Sequence, residues 1–533
     1  MHLAKQKIGM WGLGIVGWSV LKYLAAQKIN SPANLKLDNI KLNDFTLTVF
    51  EQRDLNPEEF AQLASLGVAL EINLEKFLNS ADLIIPSPGI DLRSYQAYKS
   101  KFYSELDLFS ANFHKPILAI TGSLGKTTVT TVLAELLTKL NLRVGVGGNI
   151  GVGMCDLITQ QTELDLVVLE LSSFQLEQAQ KFRANGALWT NFCANHLDRH
   201  DNLSEYFKAK LRLFELQETT GISLLPGELL KDRLALEQLA QANIKSKLSW
   251  FGLTRPKGFG ERAVRNSKSD VGVGEGLFIE LIDSRKIKNL YYVQDNFIVR
   301  EQAGELNNLI AVGELDASIL LINWVALVGF LDLVSSDLLA LEILPIATIS
   351  KKPVSNTTAA QDQAWESTNN LINILQKYKF AGIEHRLEFF TELNGVKFYN
   401  DSKSTVPEAT LAALEKLTNS SAGSVSPIIL ILGGLGKGVQ RDKFIGELVK
   451  YKNLKQIIIF GGESENLKKW CDLYNLNSVI CVDLPAVITQ IWQIAKLGDT
   501  VLFSPSGSSY DLFKNYMVRG QEFKKIVLKQ SRM

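Results

Sequence analysis

A short apolar strand, a glycine-bounded turn and an amphipathic helix follow one another between residues 116 and 140. The strand is predicted over residues 117–120 and the turn over 121–125, and apolar side chains then recur at helical spacing from Val129 to Leu140. A turn of this kind directs backbone N–H groups at phosphate oxygens, and the helix N-terminus adds partial positive charge. The segment therefore predicts an α/β fold with a nucleoside triphosphate site at the turn.

The residue types in this turn suit phosphate binding. Lys126 is expected to reach the β- and γ-phosphates, and the Thr127 hydroxyl is expected to ligate Mg²⁺. The common Gly-x4-Gly-Lys-Ser/Thr pattern would require glycine where Ile120 stands, so a glycine turn with a chance lysine is the alternative. The predicted ATP contacts of this segment are Gly122, Ser123, Leu124, Gly125, Lys126, Thr127 and Thr128.

The composition narrows the class of protein. A chain of 533 residues is expected to form several domains, and 46% hydrophobic with 21% charged residues is ordinary for a globular protein. A net charge of +1 gives no reason to expect nucleic acid or an acidic membrane as a partner. Four cysteines without metal or disulfide spacing, and no signal peptide pattern, favour the cytoplasm. The apolar stretch 319–334 is interpreted as a buried helix.

The first block, residues 1–113, begins with a strand that runs into Gly12-Leu13-Gly14-Ile15-Val16-Gly17. This is a nucleotide-type fingerprint, but Glu51, at the end of the next strand, lies farther on than the usual distance of about twenty residues. A structural turn without a ligand is therefore about as consistent with the pattern. The strand 83–85 runs into Ser87-Pro88-Gly89, and such strand ends bind ligands in open α/β sheets.

The middle block, residues 114–381, contains the phosphate loop and a second strand, 166–169, that ends at Glu170. A carboxylate there can hold phosphate-bound Mg²⁺, although a helix-capping acid is equally consistent with the position. Residues 255–305 are expected to form an inserted hairpin or loop, and residues 353–370 a connection.

The last block, residues 382–533, repeats a strand followed by glycines or by a serine-rich turn. The strands 428–432, 457–460 and 501–503 each end in such a turn, which predicts a parallel sheet covered by helices. The predicted architecture is α/β with three domains: an N-terminal Rossmann-like domain, a central P-loop ATPase-like domain and a C-terminal Rossmann-like domain.

Further sequence motifs resemble those of a known protein family. They are Gly148-Asn149-Ile150-Gly151, Glu170-Leu171-Ser172-Ser173-Phe174-Gln175, Asn195-His196-Leu197-Asp198-Arg199-His200, Tyr206-Phe207-Lys208-Ala209-Lys210, Glu384-His385-Arg386, Asn400-Asp401-Ser402-Lys403-Ser404-Thr405 and Ser504-Pro505-Ser506-Gly507-Ser508-Ser509. Together with the phosphate loop they resemble the Mur ligases of peptidoglycan synthesis, and in particular the members that add D-glutamate to UDP-N-acetylmuramoyl-L-alanine. The resemblance extends over all three blocks.

The resemblance implies amide-bond synthesis driven by ATP. The substrate carboxylate would take the γ-phosphoryl group, and the amine of D-glutamate would attack the acyl phosphate. Two Mg²⁺ ions are implied, held by Thr127 and Glu170 and by His196 and Lys210, with Lys210 carbamoylated by CO₂. On the residues alone, Lys210 would be interpreted as a solvated helix lysine and His196 as a residue at a helix start. The implied catalytic residues are Lys126, His196 and Lys210.

The resemblance also distributes binding residues over the chain. The implied contacts of the UDP-linked substrate are Gly14, Ile15, Val16, Glu51, Gln52, Arg53, Ser87, Pro88, Gly89, Ser172 and Gln175. Beyond the phosphate loop, the implied ATP contacts are Asn149, His385, Arg386, Asn400, Asp401 and Lys403. The implied D-glutamate contacts are Thr405, Lys437, Ser509, Tyr510 and Tyr516. A monomer is expected.

Three departures from the family pattern keep alternatives open. Leu124 stands where asparagine is usual, and Leu435 where a polar or acidic residue is usual. The His-Asn-x-x-Asn string, whose asparagine contacts adenine, has no clean match, and Asn323 and Asp316 are the candidate substitutes. The alternatives are another amide ligase of the Mur or folylpolyglutamate type, a nucleotide-binding homologue without turnover, and an oxidoreductase, which would give Lys126 no role.

Overall fold

The computed structural model describes residues 6–30, 45–255, 287–339, 371–419, 426–436 and 441–530. Three separate sheets, built mostly of parallel strands and accompanied by helices, follow one another along the chain. This arrangement confirms the predicted α/β fold class with one sheet in each block.

The first sheet has four parallel strands in the order β3-β2-β1-β4. Trp11 pairs with both Phe50 and Pro86, so the carboxyl ends of three strands lie at the same edge. The strands are β1 (Gln6–Trp11), β2 (Phe45–Phe50), β3 (Val68–Glu71) and β4 (Leu83–Pro86). The helices are α1 (Ile15–Asn30), α2 (Pro57–Ser65), α3 (Leu74–Ser80) and α4 (Glu105–Asn112), with a 3₁₀ segment at Arg93–Lys101.

The central sheet has nine strands in the order β13-β12-β11-β10-β9-β8-β5-β7-β6, parallel except for β12, which pairs antiparallel with both β11 and β13. The strands are β5 (Ile117–Thr121), β6 (Val144–Gly148), β7 (Leu166–Glu170), β8 (Gly186–Trp189), β9 (Ile222–Pro226), β10 (Lys247–Phe251), β11 (Ile287–Gln294), β12 (Phe297–Gln302) and β13 (Glu305–Ala311). The helices are α5 (Lys126–Lys139), α6 (Met154–Gln160), α7 (Ser173–Gln178), α8 (Leu203–Glu215), α9 (Arg233–Gln241) and α10 (Leu321–Leu339). Two 3₁₀ segments, Gly227–Lys231 and Val312–Glu314, complete this part.

Two expectations about this block have a structural outcome. β11 and β12 form a hairpin through Asp295 and Asn296, which both have left-handed φ, so the predicted inserted hairpin is confirmed within residues 287–302. α10 packs against the central sheet through buried apolar residues between Trp324 and Val334, which confirms the buried helix. Residues 256–286 and 353–370 lie outside the described part of the chain, so the expectations for them stay predictions. Within the described part, no helix has the length and apolar character needed to cross a bilayer.

The third sheet has six strands in the order β14-β15-β19-β16-β17-β18, with β14 antiparallel at one edge. The strands are β14 (Glu388–Leu393), β15 (Val396–Asn400), β16 (Ile428–Gly433), β17 (Leu454–Phe460), β18 (Ser478–Ile480) and β19 (Thr500–Phe503). The helices are α11 (Pro407–Asn419), α12 (Arg441–Glu447), α13 (Ser464–Leu473), α14 (Leu484–Ile494) and α15 (Tyr516–Gln530), with a 3₁₀ segment at Leu448–Lys450. The three strands predicted from the sequence of this block, β16, β17 and β19, are confirmed.

The chain divides into two compact units, one formed by Met1–Phe192 and Ser204–Phe380 and the other by Cys193–Leu203 and Ala381–Met533. Within the first unit, one hydrophobic cluster contains residues of both the first and the central sheet, from Ile8 to Val299. The domain boundaries at residues 113/114 and 381/382 stay predictions.

Candidate active site

The phosphate loop follows β5 and leads into α5. Gly122 and Gly125 have φ of +144° and +78°, and a Cβ on Gly122 would overlap Thr190 Oγ1, so the turn requires glycine there. The first helical bond runs from Val129 N–H to the Gly125 carbonyl at 3.0 Å. The amides of the first turn thus lack intrahelical acceptors, as is usual at a helix N-terminus, where anions bind.

The segment after β8 holds this loop in place. The Leu124 N–H donates to Asn191 Oδ1 at 2.8 Å, and its carbonyl accepts from Thr190 Oγ1 at 2.6 Å and from Asn191 Nδ2 at 3.0 Å. The Ser123 N–H donates to the Asn191 carbonyl at 3.0 Å. Two amides expected to face phosphate are therefore bonded to Asn191, and the backbone of Leu124, rather than its side chain, makes these structural contacts.

Two lysines meet at one carbonyl of the loop. Lys126 Nζ donates to the carbonyls of Gly122 at 2.8 Å and Ser123 at 3.1 Å, and Lys210 Nζ donates to the Gly122 carbonyl at 2.8 Å. Lys210 is 1% exposed on α8 and lies 4.6 Å from the centre of the Tyr206 ring. The interpretation of Lys210 as a solvated surface lysine is therefore wrong, because α8 turns this side chain towards the phosphate loop.

Glu170 lies beside the phosphate loop on the neighbouring strand. The register of β5 and β7 pairs it with Ile120, and it is buried. Asn149 Nδ2 donates to Glu170 Oε1 at 2.8 Å, and the Asn149 N–H donates to the Glu170 carbonyl at 2.8 Å. A buried carboxylate and the Thr127 hydroxyl are oxygen donors of the kind that Mg²⁺ prefers, so these residue types fit a magnesium site.

In the first sheet, three predicted segments meet at the glycine turn. Glu51 Oε2 accepts from the Leu13 N–H at 2.6 Å, and Ser87 Oγ donates to the Gly12 carbonyl at 3.1 Å. A Cβ on Gly17 would overlap the Gly12 carbonyl oxygen, which explains the glycine at the start of α1. Glu51 thus supports the turn directly, and the glycines in this turn have a structural role beside any ligand.

The other residues predicted for the UDP-linked substrate have local partners. Arg53 pairs with Glu59 and Gln52 donates its N–H to Glu51, whereas Ile15 is 69% exposed at the first turn of α1. Ser172 and Gln175 form a capping box on α7. The carboxyl ends of β1, β2 and β4 bring together Gly14, Ile15, Val16, Glu51, Gln52, Arg53, Ser87, Pro88 and Gly89. Their roles towards a substrate stay predictions.

In the second unit, a buried network surrounds the end of β15. His385 is 3% exposed with φ of +65°, and Asn400 Nδ2 lies 2.8 Å from its Nδ1. Asp401 accepts from the Leu387 N–H at 2.9 Å and from Ser504 Oγ at 2.7 Å. Burial raises the pKa of Asp401 to about 6. The Arg386 N–H donates to the Ile383 carbonyl at 3.0 Å, and the Lys403 N–H donates to the His385 carbonyl at 2.9 Å.

The residues predicted for the amino acid lie after β15 and β19. Ser509 is buried, Tyr510 is 72% exposed, and Thr405 is half-buried ahead of α11. Tyr516 begins α15, where Lys403 Nζ lies 5.5 Å from the centre of its ring. Lys437 lies outside the described residues.

His196 lies in the segment Cys193–Leu203, which belongs to the second compact unit, whereas the stretches that end at Phe192 and begin at Ser204 belong to the first. It has φ of +55°, and its carbonyl accepts from the N–H groups of Arg199 and His200 at 3.1 and 2.9 Å. The structure thus assigns His196 and the residues Lys126, Glu170 and Lys210 to different compact units. The metal role of His196 stays a prediction.

Sequence reasoning missed several residues that shape these sites. Thr190 and Asn191 hold the phosphate loop through hydrogen bonds. The sequence signal that could have indicated them is a Thr-Asn pair directly after a strand. Asn323 Oδ1 lies 3.2 Å from where a Cβ on Gly125 would stand, whereas Asp316 accepts from the Phe380 N–H. Of the two proposed substitutes, Asn323 is therefore the one at the phosphate loop.

Comparison with known proteins now gives the family. The Mur ligase middle domain matches residues 120–273, and the Mur ligase, glutamate ligase domain matches residues 385–507. The UDP-N-acetylmuramoylalanine–D-glutamate ligase of Caldanaerobacter subterraneus is 29% identical over 539 residues, covering 99% of each chain. The enzyme of the same name from Coxiella burnetii strain RSA 331 is 30% identical over 526 residues, covering 97% of each.

Solved structures agree on the fold. UDP-N-acetylmuramate-alanine ligase MurC of Thermotoga maritima aligns with a TM-score of 0.51 at 14% identity, over 98% of this chain and 99% of that one. MurF ligase of Thermotoga maritima, solved in complex with ADP, aligns with a TM-score of 0.50 at 15% identity, over 91% and 95%. With the sequence matches over the full length, these findings show that the chain belongs to the Mur ligase family.

Proposed function

We propose that the protein joins D-glutamate to UDP-N-acetylmuramoyl-L-alanine in an ATP-dependent ligase reaction of peptidoglycan synthesis. The observation that carries the proposal is the similarity, over 99% of both chains, to a ligase named for this reaction. The phosphate loop, with Lys126 bonded to its carbonyls at 2.8 and 3.1 Å, supports ATP as the energy source.

The ligase reaction requires two chemical steps. A carboxylate oxygen of the UDP-linked substrate attacks the γ-phosphorus, and the bond to the bridging oxygen breaks so that ADP leaves. The amine of D-glutamate then attacks the acyl carbon, loses a proton and expels inorganic phosphate. Lys126 serves the phosphates during the first step, because charge neutralisation and positioning are most of what phosphoryl transfer requires.

The remaining site residues are assigned to the same reaction. Thr127 and Glu170 would hold one Mg²⁺, which neutralises phosphate charge when bound, and Asn149 would orient Glu170. His196 and a carbamoylated Lys210 would serve a second ion. The first-sheet turn would bind the UDP-linked substrate, and the turns after β15 and β19 would bind D-glutamate. The reaction is proposed to take place in the cytoplasm, with the protein as a monomer.

Coupled product release tests the proposal. ADP and phosphate should appear only when ATP, Mg²⁺, UDP-N-acetylmuramoyl-L-alanine and D-glutamate are all present. Replacing D-glutamate by L-alanine, a diamino acid or L-glutamate should abolish release, and release with one of these instead would favour another ligase of the superfamily. Lys126→Ala should lower kcat by about 10²–10³-fold. Lys139→Ala, at the exposed end of the same helix, is the matched control.

Carbamoylation of Lys210 has its own test. Protein equilibrated with ¹³C-bicarbonate should give a carbamate carbon signal that disappears in Lys210→Arg. It should persist in Lys208→Arg, because Lys208 is an exposed lysine on the same helix. An identical spectrum for wild type and Lys210→Arg would remove the carbamate from the proposal and leave the ligase reaction to be judged on product release.

A further inference from the structure

Arg441, the first residue of α12, is a cation buried at the edge of the third sheet where the strands end. It is 1% exposed, and its guanidinium donates to three backbone carbonyls. Nη1 bonds to Gly434 at 3.0 Å, and Nη2 bonds to Gly433 and Pro505, both at 3.0 Å. One side chain thus connects the turn after β16 to the turn after β19.

A third turn joins this arrangement through Glu463. Arg441 Nη1 lies 3.3 Å from Glu463 Oε2, and Glu463 Oε1 accepts from the Gly436 N–H at 2.8 Å. Glu463 follows β17, so the guanidinium and its carboxylate partner connect the turns after β16, β17 and β19.

The backbone of the same turns is paired as well. The Leu435 N–H donates to the Ser508 carbonyl at 3.0 Å, and the Ser508 N–H donates back to the Leu435 carbonyl at 2.8 Å. A Cβ on Gly434 would overlap the Ser508 carbonyl oxygen, so the turns approach as closely as glycine allows. A shift of residues 433–436 would therefore move Ser508 and its neighbour Ser509.

The chemistry of arginine suits this position. Burial lowers the pKa of Arg441, and the four contacts of its two terminal nitrogens offset part of the cost of burying the cation, while Nε has no hydrogen-bond partner within the described residues. A planar guanidinium can address three carbonyls and a carboxylate at fixed angles, whereas a lysine ammonium cannot reproduce this geometry. The turns lie at the carboxyl ends of parallel strands, which is where α/β sheets bind ligands.

We propose that Arg441 is a positioning residue for the acceptor amino acid. It fixes the turn 433–436 against the turn 505–509, so that Ser508 and Ser509 are held in place for the amino acid. Arg441 itself makes no contact with the amino acid in this role. The inference rests on the proposed ligase function, which identifies the amino acid as D-glutamate.

Steady-state kinetics of three variants test the role. Arg441→Gln should raise the KM for D-glutamate by about tenfold or more, because small misplacements of binding groups are costly, while the KM values for ATP and the UDP-linked substrate stay within about twofold. Arg441→Lys keeps the positive charge but loses the planar guanidinium, so its KM for D-glutamate should fall between those of wild type and Arg441→Gln. Glu463→Gln should show a smaller rise confined to D-glutamate.

A cation at the amino-terminal ends of the strands of the same sheet provides the control. Lys455 pairs with Asp499 and donates to the Ile494 carbonyl at 2.8 Å, near the start of β17. Lys455→Gln should lower the unfolding temperature without changing the KM for D-glutamate, which separates general destabilisation from positioning.

Each outcome decides the matter. Equal changes in the KM values for ATP, the UDP-linked substrate and D-glutamate would overturn the assignment. Unchanged KM values in both Arg441→Gln and Arg441→Lys would overturn it as well. So would wild-type kinetics of Arg441→Lys alone. If Arg441→Gln does not fold, Arg441→Lys and Glu463→Gln decide by the same criteria. A wild-type protein without D-glutamate-dependent turnover would overturn the proposed function and this role with it.

Discussion

Asn149 holds Glu170 by two hydrogen bonds of 2.8 Å, one from its side-chain amide to the carboxylate and one from its N–H to the backbone carbonyl. The turn that carries Asn149 depends on Gly148, which has φ of +96° and whose Cβ would overlap the Glu170 carbonyl. The orientation of the buried carboxylate is thus determined by a turn from the neighbouring strand.

Asn149→Ala is expected to lower kcat/KM for ATP by about 10–100-fold, because a metal-binding carboxylate loses the partner that orients it. The Mg²⁺ concentration at half-maximal rate should rise, as measured by ADP release over a magnesium titration. Asn185→Ala, which removes the acceptor of the Ile117 N–H at the other end of β5, should leave the magnesium dependence unchanged. An unchanged magnesium curve in Asn149→Ala would contradict the role.

Gly17→Ala should weaken binding of the UDP-linked substrate, because the added methyl group overlaps the Gly12 carbonyl and must displace the turn that Glu51 and Ser87 support. We expect a rise of about tenfold or more in the dissociation constant, measured by calorimetric titration. Gly313→Ala is the matched control, since its Cβ would meet no atom within 4 Å. Equal affinity in both variants would show that the turn does not contact the substrate.

Leu124→Asn is expected to change nucleotide affinity by less than about twofold, because Thr190 and Asn191 hold the backbone of this residue. Asn191→Ala removes both side-chain hydrogen bonds to the Leu124 backbone and should weaken binding by about tenfold or more. Titration with a fluorescent ATP analogue gives both values. The reverse order of effects would mean that the side chain at position 124 acts on the nucleotide.

Burial raises the pKa of Glu105 from 4.5 to about 8, and the nearby Met154 N–H and Gln175 side chain offset only part of this rise. Because the pKa is higher in the folded protein, this group stabilises the fold below about pH 4.5, and that contribution is lost as the pH rises to about 8. Glu105→Gln should remove this dependence and stabilise the protein at pH 8, by about 1–3 kcal/mol relative to wild type.

Urea unfolding at about pH 5, 6.5 and 8 measures the difference in the free energy of unfolding between wild type and Glu105→Gln. Glu58→Gln, an exposed acid on α2, should keep the wild-type pH dependence. Parallel curves for wild type and Glu105→Gln would show that Glu105 ionises normally in the folded protein.

The sequence predicted the strands that lead into each site because they are apolar runs ending at glycine or serine turns. β5, β7, β16, β17 and β19 all lie where this pattern indicated them. It also placed Gly122, Lys126 and Glu170 at one edge, since adjacent parallel strands end together. These features are local, and local patterns are what a single sequence displays.

Contacts between distant segments could not be predicted in the same way. Lys210 reaches Gly122 across 88 positions of the chain, and Leu124 reaches Asn191 across 67. The helical periodicity of the sequence around Lys210 does not indicate which sheet this helix packs against. Arg441 carries no motif at all, and its three carbonyl acceptors become visible only when the turns after β16 and β19 are in place.

The hydrophobic cluster shared by the first and central sheets has a consequence for cooperativity. Helices α1 and α4 both contact α6, and Asp107 of α4 accepts the N–H groups of Gln180 and Lys181 beyond α7. Elements that share one apolar core lose their stabilisation together, because opening either exposes surface on both. The first two sheets should thus melt as one calorimetric transition, so that a chain with three sheets would unfold in at most two steps.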